Sequence, residues 1–239
     1  MVSLRSLLRI LRPDLTKGIS GIESIIPPEI KGDEFYAAIL ELASTVEARH
    51  ILEIGSSSGQ GSTDAFVRGI ARNPARPQLH CMEISKTRFA ALRDHHAGNP
   101  QVKVYNASSV PAAELPSADQ VAQFYRDQTT KLNDYPLEQV LGWLEADRAY
   151  MSDAVIPDGI RHILTQIGVA SFDLVLIDGS EFTGEPELER VYGAAWILLD
   201  DVNAHKNFRN YHRLRQDPAY RLVREDWQVR NGFAIFQRV

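Results

Sequence analysis

The spacing of apolar side chains changes period several times along the chain, and each change marks an element. Leu4, Leu7, Leu8 and Leu11 share one helical face while Arg5, Arg9 and Arg12 share another, which predicts a short amphipathic helix. Gly18, Gly21, Pro27, Pro28 and Gly32 then punctuate a loop. The chain thus divides into an N-terminal arm (1–32) and a body (33–239). Asp33 can cap a helix whose apolar residues Phe35, Ile39, Leu42 and Val46 recur at helical spacing, running to about Arg49. Strand and helix patterns alternate from there. HILEIG (50–55), LHCMEI (79–84) and VKVYNA (102–107) read as strands, separated by helices over Ser62–Ala71 and Lys86–His96. Such alternation builds right-handed βαβ units and a parallel sheet.

The rhythm breaks after the third strand and returns at FDLVLID (172–178), so about 110–170 reads as an insertion. Within it, Ser117 and Gln120 form a capping-box pattern opening a helix to about Lys131, and Pro136 suits the first position of another. A helix near Glu187–Tyr192, the strand AAWILLD, a helix around Lys206–Arg215 and the runs YRLVRE and FAIFQRV follow. The final pair reads as an antiparallel closing edge. The expected fold is a Rossmann-like, doubly wound α/β domain: a mostly parallel seven-stranded sheet, an antiparallel C-terminal edge strand and a helical lid insertion.

Composition narrows the function. With 26 basic and 31 acidic residues the net charge is -5, which argues against a nucleic-acid partner. Residues 108–170 carry nine acids and four bases, so this segment accounts for the whole imbalance. The single cysteine, Cys81, forms no internal disulfide, and Arg5 and Arg9 interrupt what a signal peptide needs as an apolar run. A cytoplasmic protein is expected. Residues 1–12 would pack on the protein's own body in preference to a peripheral membrane contact or a partner subunit of a homo-oligomer.

The segment ILEIGSSSGQGSTD places Gly55, Gly59 and Gly61 between a strand and a helix, where backbone approaches a ligand closely. A phosphate-binding P-loop needs a lysine that Ser56–Thr63 lacks, and a G-x-G-x-x-G dinucleotide fingerprint needs glycine at Ser57 or Asp64. Ser57 satisfies G-x-S-x-G, the nucleophile elbow of serine hydrolases, but only a helix and a loop precede it to supply the earlier strands of that fold.

The string E-x-G-x-x-x-G at Glu53, Gly55 and Gly59 resembles motif I of class I S-adenosylmethionine-dependent methyltransferases. Glu83, at the end of the second strand and 24 positions beyond Gly59, matches the acidic residue that accepts hydrogen bonds from the cofactor ribose in that family. The resemblance implies that Ala107 and Ser108 meet the adenine, that Ser56, Ser57 and Ser58 line the methionine moiety, and that Glu53 orders the loop or reaches the cofactor's amino group.

Asp178 ends the fourth strand, and Asp200 with Asp201 ends the fifth, so three carboxylates face one edge of the sheet. Hard oxygen ligands of this kind select Mg²⁺, Ca²⁺ or Mn²⁺ over zinc. The arrangement, and the stretch IDGSEFTGEPEL, resemble the metal-dependent O-methyltransferases, in particular a macrocin-like or cephalosporin-hydroxylase-like branch. That resemblance implies O-methylation of a small-molecule or saccharide acceptor, with Asp178, Asp200 and Asp201 holding Mg²⁺ and Asp178 also near cofactor. His205 is the first candidate for the base and Glu181 the second. His95, His96, His162 and His212 rank lower, because they fall within predicted helices away from the strand ends. Phe124, Tyr125, Trp143 and Tyr150 of the insertion either stack on the acceptor or pack as core. A hydrolase acting through Ser57 and a non-catalytic cofactor-binding protein are the alternatives.

Overall fold

The computed structural model describes residues 19–239, so the amphipathic helix expected before them lies outside the described residues. A short helix α1 (Ile19–Ile22) leads through an extended strap to α2 (Glu34–Thr45), which Asp33 caps by accepting the Tyr36 amide at 2.8 Å. Val46 turns extended and ends α2 before Arg49. Then come β1 (His50–Ile54), α3 (Ser62–Ile70), β2 (Gln78–Glu83), α4 (Lys86–His95) and β3 (Val102–Asn106). The insertion holds α5 (Ala118–Asp127), α6 (Leu137–Ser152) and α7 (Gly159–Ile167). The chain closes with β4 (Leu174–Ile177), α8 (Gly184–Val191), β5 (Trp196–Asp200), α9 (His205–Gln216), β6 (Tyr220–Asp226) and β7 (Phe233–Arg238).

Seven strands form one sheet in the order β3-β2-β1-β4-β5-β7-β6. Strands β1 to β5 are mutually parallel, and β7 runs against both β5 and β6. The order reverses at β1, whose neighbours are β2 and β4, and open α/β sheets bind ligands beyond the strand ends at such a switch point. The closing antiparallel pair is where the sequence put it, with β7 taking the inner place.

Alternation along each strand feeds two cores. Ile51, Leu79, Leu174, Leu176 and Leu198 pack under α2 and α3 with Phe35, Ile39, Phe66 and Ile70. Leu52, Ile54, Met82, Val175, Ile177 and Leu199 face the other side, with Phe124, Val140 and Leu144 of the insertion and Leu188 and Leu214. The insertion is therefore fastened into the main core. Both halves of the Ser117–Gln120 capping box form, and Pro136 stands just before α6. Helix α5 ends at Asp127, short of Lys131, because Gln128 turns extended and Thr130 caps a separate 3₁₀ turn, Lys131–Asp134. Helix α7 was expected only as a helix holding His162, with no bounds, although Asp158 caps its start and Gly168, at φ +70°, ends it. Among the described residues no helix is long and apolar enough to cross a membrane.

Candidate active site

A cavity of about 950 Å³ opens at the carboxyl ends of β1, β2 and β4. Its floor is the loop after β1. Gly55 and Ser56 both donate backbone N–H to the Met82 carbonyl, at 3.0 and 2.9 Å, tying the loop to β2. Gly55 adopts φ +86°, and a Cβ there would lie 1.9 Å from the Asp178 carbonyl oxygen, so only glycine allows β1 and β4 to end this close together. A Cβ on Gly59, at φ +81°, would lie 2.8 Å from side-chain atoms of Leu92 in α4 and of His96 at its C-cap.

Two glutamates organise the loop. Glu53 is fully buried on the α3 side, where one oxygen accepts from the Ser56 and Thr63 hydroxyls, each at 2.7 Å, and the other has no partner. Glu53 thereby ties the loop to the start of α3. Glu83 takes the Ser57 amide at 2.8 Å on one oxygen and the Ser85 amide at 2.7 Å on the other. Burial raises its pKa, and those amides oppose the rise. Each carboxylate oxygen keeps a lone pair for a second donor. Ala107, Ser108 and Ser109 line the cavity beside it, with the Ser108 hydroxyl already given to the Val110 carbonyl at 2.6 Å. Ser58 also lines the loop wall.

The strap between α1 and α2 roofs this end of the cavity. Glu23 accepts the Thr87 amide at 2.8 Å and the Ser85 hydroxyl at 3.2 Å, both at the start of α4, and also the Tyr150 hydroxyl from α6. Burial acts to raise the Glu23 pKa, but the hydrogen bonds from Tyr150 and Thr87 hold it down at about 2. Arg88 fixes the strap further by donating to the Ser24 and Gly21 carbonyls. The sequence marked this stretch only as a loop.

The expected acidic trio forms, with ligand atoms of Asp178, Asp200 and Asp201 all within 4.8 Å of one another. Its partner is a residue the sequence reading passed over. The Lys206 ammonium sits 2.7 Å from Asp178 Oδ1 and 2.8 Å from Asp201 Oδ2, on a residue only 7% exposed. Arg230 donates to Asp200 Oδ1 at 2.5 Å and to Asp33 at the cap of α2, and Asn231 donates to Asp201 at 3.1 Å. Burial pushes Asp178 well up and, with the neighbouring Asp201 charge, Asp200 to about 7. Burial also acts to raise Asp201, yet Lys206 and Asn231 bring it below its ordinary value. Burial acts to lower Lys206, but the three carboxylates outweigh it and raise its pKa well above the usual lysine range. Asp201 has φ +55°, a left-handed conformation that aspartate tolerates better than most residues.

The two base candidates separate. Glu181 lines the cavity, and burial, aided by the Asp201 charge, lifts its carboxyl to about 7. His205 does not line it. Its ring is buried edge-on to Phe124, with centroids 4.7 Å apart, and beside Phe182, and Nδ1 lies 3.2 Å from the Glu181 carbonyl oxygen. The first candidate is thus a packing residue of the α9 start, and its neighbour Lys206 faces the chemistry. Trp143 and Tyr150 line the cavity, whereas Phe124 is core and Tyr125 gives its hydroxyl to the Tyr135 carbonyl. The Ser57 hydroxyl is buried without a hydrogen-bond partner, so no base stands behind it as a hydrolase would require.

The sheet and its strand-end cavity have a Rossmann-like architecture, which solved methyltransferase structures share. Among solved structures it is similar to an O-methyltransferase from Bacillus cereus in complex with S-adenosylhomocysteine, at 15% identity, TM-score 0.53, covering 98% of this chain and 96% of that one. A methyltransferase from Geobacter sulfurreducens gives 14% identity and TM-score 0.53 over 100% and 98%. The O-methyltransferase TomG from Streptomyces achromogenes, involved in tomaymycin synthesis and solved with S-adenosylmethionine, gives 15% and 0.51 over 92% and 89%. No protein-family model matches the chain, and no curated protein matches it.

Proposed function

We propose that the chain is an S-adenosylmethionine-dependent methyltransferase acting on a hydroxyl of a small molecule or a sugar. The observation that carries this reading is that one cavity joins the glycine loop and Glu83 at one end to Glu181 and Lys206 at the other. A nucleoside-bearing methyl donor and an acceptor therefore have adjoining places. The residues present fit the donor: Glu83 offers acceptor oxygens for ribose hydroxyls, and the unpartnered Ser57 hydroxyl stands at the loop that would hold the methionine moiety, while Glu53 does not line the cavity and braces that loop from the α3 side.

When bound, S-adenosylmethionine supplies a methyl group made electrophilic by its sulfonium. The chain's task is then alignment, for which positioning contributes up to ~7 to 11 kcal/mol in favourable cases. Trp143, Tyr150 and the strap wall the cavity on this side. Glu181, with its carboxyl near 7, exists partly as carboxylate at neutral pH and can take the acceptor's proton. The trio does not fit Mg²⁺ as it stands, because an ammonium already holds one oxygen of Asp178 and one of Asp201, and a guanidinium holds one of Asp200.

Calorimetric titration of S-adenosylmethionine and S-adenosylhomocysteine into wild type and Glu83→Ala tests the reading. Wild type binds in the micromolar range, and truncating Glu83 weakens binding by about tenfold or more through lost charge-assisted hydrogen bonds. Absence of binding by folded, cofactor-free protein refutes it. Binding without methyl transfer to any hydroxyl acceptor would leave the non-catalytic reading.

A further inference from the structure

Three carboxylates from two adjacent strand ends cannot share so small a space as bare anions, and they are supplied with a cation by the chain itself. We propose that Lys206 is the resident cation of this cluster, standing where a divalent ion would otherwise bridge Asp178 and Asp201, so that methyl transfer at this site runs without a metal. The inference rests on the methyltransferase reading for its chemical meaning, but its test does not.

The placement of Lys206 is built rather than incidental. It is the second residue of α9, and the start of that helix is locked against the strand ends on three counts. Asn207 donates to the Ile177 carbonyl at 3.0 Å and the Asp200 carbonyl at 2.6 Å, bridging β4 and β5. Gly184 passes so close to the Lys206 carbonyl that a Cβ would sit 1.8 Å from it, which pins α9 to α8. His205 is wedged between Phe124 and Phe182. With the backbone fixed and the side chain nearly all buried, the ammonium cannot swing to solvent without leaving two carboxylates unpaired. A metal would have to displace it.

Lysine and Mg²⁺ differ in what they offer an acceptor. An octahedral ion binds an oxygen at ~2.1 Å and accommodates two neighbouring hydroxyls together. An ammonium carries three hydrogens, two of which go to Asp178 and Asp201, and the remaining one reaches a single acceptor oxygen. Lys206 is therefore a positioning group for one hydroxyl, adjoining Glu181 on the cavity wall.

Mn²⁺ titration followed by electron paramagnetic resonance, on the full chain with S-adenosylhomocysteine present, reads the site without any acceptor. Wild type leaves the free Mn²⁺ signal unchanged, and EDTA leaves its melting temperature and its S-adenosylhomocysteine affinity unchanged. Lys206→Met, checked for folding by circular dichroism, vacates the trio and takes up one Mn²⁺ per chain at least about tenfold more tightly than wild type. Uptake of one Mn²⁺ by wild type, displaced by Mg²⁺ and lost in Asp201→Asn, overturns the proposal. Silence of both wild type and folded Lys206→Met overturns it equally, since the lysine would then not be what keeps metal out. Should Lys206→Met fail to fold, Lys206→Gln takes its place, with the same uptake of Mn²⁺ expected and the same silence overturning the proposal. Failure of S-adenosylhomocysteine to bind would instead count against the methyltransferase reading.

Discussion

Asn207 is the residue through which the stability of the sheet and the geometry of the site are most directly joined, and its removal gives a calculable loss. Its side chain is fully buried and makes three hydrogen bonds: it donates to Ile177 O and Asp200 O, and its Oδ1 accepts from Asn210 Nδ2 at 2.8 Å. Asn207→Ala leaves two carbonyls and one amide hydrogen without these partners in the interior. At about 1 to 1.5 kcal/mol for each bond lost to a buried partner, the variant should be about 3 to 5 kcal/mol less stable. Urea unfolding followed by tryptophan fluorescence measures this, and Trp196 reports directly because it begins β5. Asn210→Ala and the double variant complete a cycle. Asn210 also donates to the Gly184 carbonyl at 2.8 Å, so the two residues should couple by about 1 kcal/mol or more. A loss under about 1 kcal/mol for Asn207→Ala, or strict additivity in the cycle, would show that the strand ends are not held in this way.

Gly55→Ala should cost more than about 3 kcal/mol and abolish S-adenosylhomocysteine binding, because the new methyl would meet the Asp178 carbonyl, while Gly32→Ala, equally left-handed at φ +71° but in open space, should cost only about 1 kcal/mol; thermal melts compare the two. His80 is buried between His50 and Tyr105, and burial, with the nearby His50 and Lys103 charges, lowers its pKa to about 4. A depressed folded-state pKa gives stability that is present above the unfolded value and is lost as pH falls towards 4, so unfolding free energy should drop by about 2 kcal/mol from this group between pH 7 and 5, a slope that His80→Phe should flatten. A fluorophosphonate probe should leave the intact mass unchanged, since Ser57 has no base; a stoichiometric adduct lost in Ser57→Ala would reopen the hydrolase reading.

What the sequence disclosed followed the range of the interactions involved. Ser117 and Gln120 find each other within one turn, so the start of α5 was readable from four residues. Strands β1 and β4 are buried on both faces, which demands near-continuous apolar runs, and HILEIG and FDLVLID show them. The convergence of Asp178 with Asp200 and Asp201 was readable because β4 and β5 both end in acid and parallel neighbours end at the same edge. Helix α7 carried local signals in Asp158 and Gly168 that could have set its bounds. The strap was beyond local reading, since Glu23 is held by Thr87 and Tyr150 from distant elements.

The exchange of His205 for Lys206 shows where residue chemistry alone misleads. Successive helical residues point about 100° apart, so a choice between neighbours at the start of α9 depends on the rotation of that helix about its axis. That rotation is set by Asn207 on the β4 and β5 carbonyls and by Gly184 against the α9 backbone, contacts that link residues 177, 184, 200 and 207. The charge requirement, however, was in the sequence: a trio of carboxylates needs a cation, and Lys206 follows Asp201 by five positions. Counting Asp33 and Glu181, five carboxylates here meet two cations, Lys206 and Arg230. Asp178, Asp200 and Glu181 relieve the excess by favouring their protonated forms. A bound group with positive charge would relieve it further, and a sulfonium methyl donor brings that charge while a phosphate-rich acceptor adds to the burden. The electrostatics of this corner thus favour a cationic donor and a neutral hydroxyl acceptor over an anionic one.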